Sequence, residues 1–170
     1  MKHSASIPAS STAVFEQLVS EPFLVAFGEE VGVITRSTEL STDGDSRRAV
    51  LVWSFSMEKP GIPSLARRFL SDEVVLTWDQ IWTPVGKDRY DGQLLVTLDG
   101  RPGATSEGEC TLRPEDSASG ASAVLVTDTT TRTTLPRVVS KGIEGTIDRE
   151  LVGWIIAVQI RVLNRRLGSG

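Results

Sequence analysis

The sequence predicts an α+β domain in which a seven-stranded antiparallel sheet carries one long C-terminal helix. Three observations predict it. From Val31 to Leu135 the chain is a series of β-rich segments separated by the turn signals "STDGD", "PVGKD", "LDGRPG" and "PEDSASGAS", and connections so short and polar favour antiparallel pairing over crossovers. The stretch "IEGTIDRELVGWIIAVQIRVLNRRLG", Ile143 to Gly168, reads as a single helix. The length of 170 residues and mass of 18.4 kDa suit one domain with a substantial core. That domain is expected to span 1–168, with 169–170 as a tail.

Taken in order, Lys2 to Pro8 alternates weakly and stops at a proline, as a short strand does. Ser11 stands as an N-cap ahead of Val14, Phe15, Leu18 and Val19 at helical spacing. Pro22 can open a second short helix carrying Phe23, Leu24 and Phe27, with Gly28 as its stop. Strands are expected at about 31–40, 46–57, 73–83, 89–98, 103–113 and 122–134. Between the second and third of these, "KPGIPSLARRFLSDE" reads as a loop with a short amphipathic helix.

That element order, with "TLPRVV" leading into the last helix, resembles the START and birch-pollen-allergen-like (SRPBCC) superfamily over essentially the whole chain. "PSLARRFLSDEVVLTWDQIWTP" is similar to the corresponding stretch of an uncharacterised bacterial family within it. The resemblance implies a helix-grip fold, with the sheet curved around the C-terminal helix and a cavity between the two.

Charge and composition exclude several classes. Eighteen Lys and Arg against twenty-two Asp and Glu give a net charge of -4, so no sequence-wide positive field exists to hold nucleic acid. "MKHSASIPAS" has no apolar run behind its lysine and is not a secretory signal. The longest apolar-rich run, "LVGWIIAVQIRVL", contains Gln159 and Arg161, which rules out stable membrane insertion. A cytoplasmic location is expected, in agreement with the single cysteine, Cys110.

Alternate positions place Ala49, Leu51, Trp53, Phe55 and Met57 on one face, and Val74, Leu76, Trp78, Gln80 and Trp82 on another. Opposite these large residues stand a small run (Ala104, Ser106, Gly108, Cys110) and a hydroxyl run (Thr127, Thr129, Thr131, Thr133). Such an interior can interdigitate into a solid core or leave a cleft. A ligand site is expected from Trp53, Phe55, Met57, Trp78, Trp82 and Thr129 on the sheet, Trp154 and Val158 on the helix, and Arg67, which could hold an anionic group at the rim.

Catalytic constellations are absent from the pattern. His3 is the only histidine, so histidine-based metal clusters are excluded and a triad would have to use a residue on the first strand. Cys110 reads as a small buried filler, and Glu144 with Asp148 as a solvated i, i+4 pair on the helix. No catalytic residue, metal ligand or cofactor is assigned. The expected function is binding of a hydrophobic or amphipathic, lipid-like or polyketide-like molecule. The alternatives are a cyclase- or hydrolase-type enzyme acting in the same cavity and an interaction protein with a filled core.

The last helix is apolar on two sides. Ile143, Ile147, Leu151, Trp154, Val158 and Val162 form the stripe assigned to the sheet, and Val152, Ile156, Ile160 and Leu163 lie opposite. The short N-terminal helices are expected to cover little of the second stripe, which suggests a homodimer through those four residues.

Overall fold

The computed structural model describes residues 1–56, 73–100, 103–115 and 121–168. The chain begins with β1 (Lys2–Ile7), α1 (Ser11–Leu18) and α2 (Glu21–Val31). Six strands follow: β2 (Ile34–Asp43), β3 (Ser46–Ser56), β4 (Glu73–Gly86), β5 (Arg89–Asp99), β6 (Ala104–Pro114) and β7 (Ala123–Thr133). Their order in the single sheet is β1-β7-β6-β5-β4-β3-β2, antiparallel throughout. The last helical region comprises α3 (Arg137–Thr146), a π-helical segment (Ile147–Val152) and α4 (Gly153–Leu167). This is the helix-grip architecture, and the predicted strands differ from the observed ones by a few residues at their ends.

Local chemistry sets the helix limits. Ser10, rather than Ser11, caps α1, its hydroxyl accepting the Ala13 amide at 3.2 Å. The Ser11 hydroxyl instead donates to the Asp88 carbonyl at 2.6 Å, tying the helix to the β4–β5 turn. Gly28 does not stop α2. The helix runs on to Val31 and ends at Gly32, whose φ of 75° lies in the left-handed region that glycine enters without a Cβ penalty.

The antiparallel register places inward-facing residues in rows across the sheet. One row is Trp53, Leu76, Leu98, Ala104, Thr133 and the next is Leu51, Trp78, Val96, Ser106, Thr131. Then come Ala49, Gln80, Leu94, Gly108, Thr129, and finally Trp82, Gly92, Cys110, Thr127, His3. Bulk therefore falls from β3 and β4 toward small and hydroxyl-bearing residues on β6 and β7, as the alternation predicts. Trp82 lies over Gly92, where a Cβ would come within 2.8 Å of the indole.

The helical region departs from expectation in two ways. It starts at Arg137, six residues before Ile143, with Pro136 supplying the extended backbone of its N-cap. It also contains a π-helical segment, in which the Gly153 amide donates to the Asp148 carbonyl five residues back. A wider turn rotates every later side chain relative to an ideal α-helix. Leu151, Val152, Ile155, Ile156, Val158 and Gln159 are consequently all buried, and the helix is covered on nearly every side.

The cover comes from the chain itself. Both α1 and α2 pack on α4, and β1 crosses it where Gly153 leaves room for Met1 and the His3 ring. Arg161 and Arg165 donate to the Glu30 carboxylate of α2, and Arg166 to the Gln17 side chain of α1. Val152, Ile156 and Leu163 are buried within the monomer, and Ile160 is half-buried against the same core. No apolar stripe remains for the expected homodimer through Val152, Ile156, Ile160 and Leu163. The N-terminal helices reach that face because α2 is three turns long and crosses α4 instead of lying at one end.

Candidate functional site

The aromatic end of the interior is built by β3, β4 and α2. Trp53 and Trp78 lie with ring centroids 6.4 Å apart and planes 27° from parallel. The Phe27 ring meets both edge-on, at 5.0 Å from Trp53 and 5.6 Å from Trp78. Such geometry sets the positive ring edge against the negative face. These two tryptophans thus sit beneath α2, whereas the sequence placed them beneath the last helix. Trp82 is equally buried but lies four residues further along β4, over Gly92.

Among the described residues, the buried indole N–H groups of Trp53 and Trp82 have no hydrogen-bond partner. Around them the polar groups are joined. The Gln159 amide on α4 donates to Gln80 Oε1 on β4 at 3.1 Å, and Gln80 Nε2 lies 3.8 Å from Cys110 Sγ. A thread of side-chain contacts therefore crosses the interior from helix to sheet and reaches Thr127 through Cys110. Burial pushes the Cys110 thiol above its ordinary pKa, outweighing its hydrogen bonds to Thr127 and Gln80. Iodoacetamide is therefore expected to leave Cys110 largely unmodified at neutral pH in the native protein and to alkylate it fully in denaturant. Rapid labelling of the folded chain, followed by intact mass, would contradict this.

A second cluster centres on Asp148 in the π-helical segment. Its Oδ1 accepts the hydroxyls of Thr129 at 2.7 Å and Thr131 at 3.0 Å, and the amino group of Met1 lies 3.1 Å from Oδ2. The Ser106 and Thr131 hydroxyls are 2.5 Å apart, which extends the network to β6. One turn earlier, Glu144 accepts the Thr133 amide at 2.9 Å. The expected solvated pair is thus a buried carboxylate, Asp148, and a half-buried one, Glu144, both stitching the helix to β7. An unpaired charge in that position would be costly, and the hydroxyl run of β7 is what satisfies it.

His3 belongs to this cluster rather than to a surface strand end. Its Nε2 is buried without a partner among the described residues, and the ring packs on Gly153. Desolvation holds its pKa below 6.5, opposed by the negative charges of Asp148 and Asp128 and assisted by the chain's amino group. Because the unfolded chain takes up this proton more readily, the stabilising contribution of the neutral ring is complete above about 6.5 and is lost as the pH falls toward the folded midpoint. As the chain's one histidine, it gives an unambiguous NMR titration. The expected midpoint lies below 6.5, and one at or above that value would contradict the desolvated position.

The remaining expected site residues are distributed as follows. Val158 is buried, Trp154 is half-buried against the core, and Thr129 is engaged by Asp148. Phe55 is on β3, opposite Val74 of β4. Met57 and Arg67 fall outside the described residues. Sequence reasoning missed Phe27, Gln159 and Asp148. The four-threonine face of β7 was the available signal for Asp148, since buried hydroxyls require acceptors.

The sheet's outer face holds an open hollow of about 670 Å³ lined by charged residues including Asp79, Glu107, Glu109, Asp128 and Arg132 and by the apolar Ile81, Leu94 and Leu95. Among the described residues no group of three His, Cys, Asp or Glu side chains is placed to hold a metal ion, and no helix is long and apolar enough to cross a membrane.

The fold recurs in solved structures of low sequence identity. TTHA0849 from Thermus thermophilus is 17% identical, with a TM-score of 0.56 over 100% of this chain and 99% of that one. Norcoclaurine synthase from Thalictrum flavum, in complex with dopamine and hydroxybenzaldehyde, is 13% identical, with a TM-score of 0.52 over 97% and 86%. The di-domain ARO/CYC StfQ of the steffimycin biosynthetic pathway is 16% identical, with a TM-score of 0.50 over 98% of this chain and 45% of that one. No functionally curated protein matches the sequence. The model of one family, DUF2505, matches residues 2–158, nearly the whole of the helix-grip domain, and the chain belongs to this family of proteins of unknown function.

Proposed function

We propose that this protein binds a hydrophobic or amphipathic small molecule, lipid-like or polyketide-like, between the inner face of the sheet and the helices that cover it, the C-terminal helix and α2. The observation that carries this reading is the pair of buried indole donors on Trp53 and Trp82 without partners among the described residues. Buried donors are nearly always satisfied in folded proteins, and leaving one unmet costs about 1–3 kcal/mol. A bound molecule offering carbonyl, ether or hydroxyl oxygens on an apolar frame would meet them. The norcoclaurine synthase neighbour solved in complex with dopamine and hydroxybenzaldehyde supports a small-molecule role for this fold. Phe55, Met57 and Arg67 are included in the proposed site on the sequence pattern alone.

The test is tryptophan fluorescence against a panel of fatty acids, aromatic polyketides and apolar dyes. At least one class is expected to shift or quench emission saturably, and Trp82→Phe is expected to weaken its binding about three- to tenfold, the worth of one hydrogen bond. An absence of saturable response across the panel would overturn the reading.

A second reading, cyclase- or hydrolase-type catalysis in the same interior, is favoured by the buried Asp148 carboxylate beside His3. It requires product formation that His3→Ala reduces far more than it reduces ligand binding.

A further inference from the structure

We propose that the first turn of α3 docks the protein reversibly onto anionic lipid bilayers. Val138 is 98% exposed and Val139 56% exposed, side by side just after Pro136, while Ser140 and Ile143 of the same helix turn inward. Two adjacent β-branched apolar residues so exposed have no role in the packing of the described residues that accounts for them, and they weaken rather than favour helix formation.

Their surroundings specify the partner. Arg132 at the end of β7, with Arg137 and Lys141 of α3, lines one hollow of about 440 Å³ together with Ser140 and Glu144. Three cations there face one carboxylate, and that carboxylate also accepts the Thr133 amide and hydroxyl. Among the described residues none of the three cations forms an ion pair. Arg132 also borders the acidic hollow on the sheet's outer face, so Arg137 and Lys141, against Glu144, carry the positive charge of the patch on a chain whose net charge is -4. Two valines cover far less than the roughly 800 Å² per partner that a stable protein interface buries. An apolar tip with a cationic collar matches a bilayer surface, where the tip enters the acyl boundary and the collar meets anionic headgroups. So small a tip and so few charges give weak, salt-sensitive attachment, and the valines dock whether or not the interior holds a ligand.

The test is co-sedimentation of the full chain with vesicles made of equal parts phosphatidylcholine and phosphatidylglycerol, compared with vesicles of phosphatidylcholine alone. The protein is expected to sediment with the anionic vesicles at low salt, to be released by raised salt, and to remain largely in solution with the neutral ones. Arg137→Gln with Lys141→Gln is expected to weaken attachment about thirtyfold, at about fivefold per cation. Val138→Asp with Val139→Asp is expected to abolish it without altering the circular dichroism spectrum, since both side chains are exposed. Failure of the parent to bind anionic vesicles would overturn the proposal, as would equal binding to both compositions or indifference to either pair of substitutions. So would dimers that the valine variant converts to monomers in a protein that ignores vesicles.

Discussion

Trp53→Ala is expected to destabilise the fold by about 3–5 kcal/mol, the range for truncating a large aromatic side chain in a core that cannot collapse around the gap. Trp53 has no exposed surface, and its ring stands between Phe27 of α2 and Trp78 of β4. Truncation removes one wall from both partners, and neither rigid ring can move to fill the space. Since Phe27 packs on both rings from α2, the loss is expected to reach the packing of α2 on α4 as well. Trp53→Phe retains most of the apolar surface and deletes the unpartnered N–H, so its cost should be well below half that of the alanine variant. Urea unfolding with an unchanged m-value checks both variants. An alanine variant losing less than about 1 kcal/mol would mean that Trp53 does not organise this end of the interior.

Asp148→Ala is expected to cost about 2–4 kcal/mol by a different route, the loss of the acceptor that two buried hydroxyls share. The hydroxyls of Thr129 and Thr131 would lose their acceptor, while the amino group 3.1 Å away would keep the Thr129 carbonyl and the Asp128 carboxylate as partners. Asp148→Asn keeps an oxygen for the two threonines while giving up the charge, so it should fall between parent and alanine variant. Thermal unfolding of the three proteins orders them. An asparagine variant as unstable as the alanine one would show that charge, not hydroxyl acceptance, dominates. If both matched the parent, the cluster would have no structural weight.

These two residues also show what was legible in the sequence. Trp53 was visible because strand alternation is strictly local: Ala49, Leu51 and Trp53 share a face whatever else the chain does, and each is buried. The same rule found the inward runs of β4, β6 and β7. Asp148 was hidden because its role depends on three long-range facts, namely a π-helical segment, the position of β1 and the hydroxyl face of β7. An ideal helical wheel at about 3.6 residues per turn cannot register a wider turn, and it divided α4 into two stripes when the helix is covered almost all round. The early start of the last helical region was obscured by Gly142 and Gly145, which lower helix propensity inside α3. The two-sided apolar pattern was itself a sound signal of burial on two sides. Only its partner was misassigned, because nothing local shows that α2 crosses α4.

The interior of the fold brings buried aromatic rings, two indole donors without partners among the described residues and a buried amide pair together between sheet and helices. That combination supports the proposed site for an apolar molecule with a few oxygens. Native mass spectrometry of the protein purified from its own host tests this most directly. The expected spectrum shows a small-molecule adduct that survives gentle ionisation, disappears on denaturation and is weakened in Trp82→Phe. A spectrum of bare chain alone, unchanged after incubation with fatty acids and aromatic polyketides, would contradict the account.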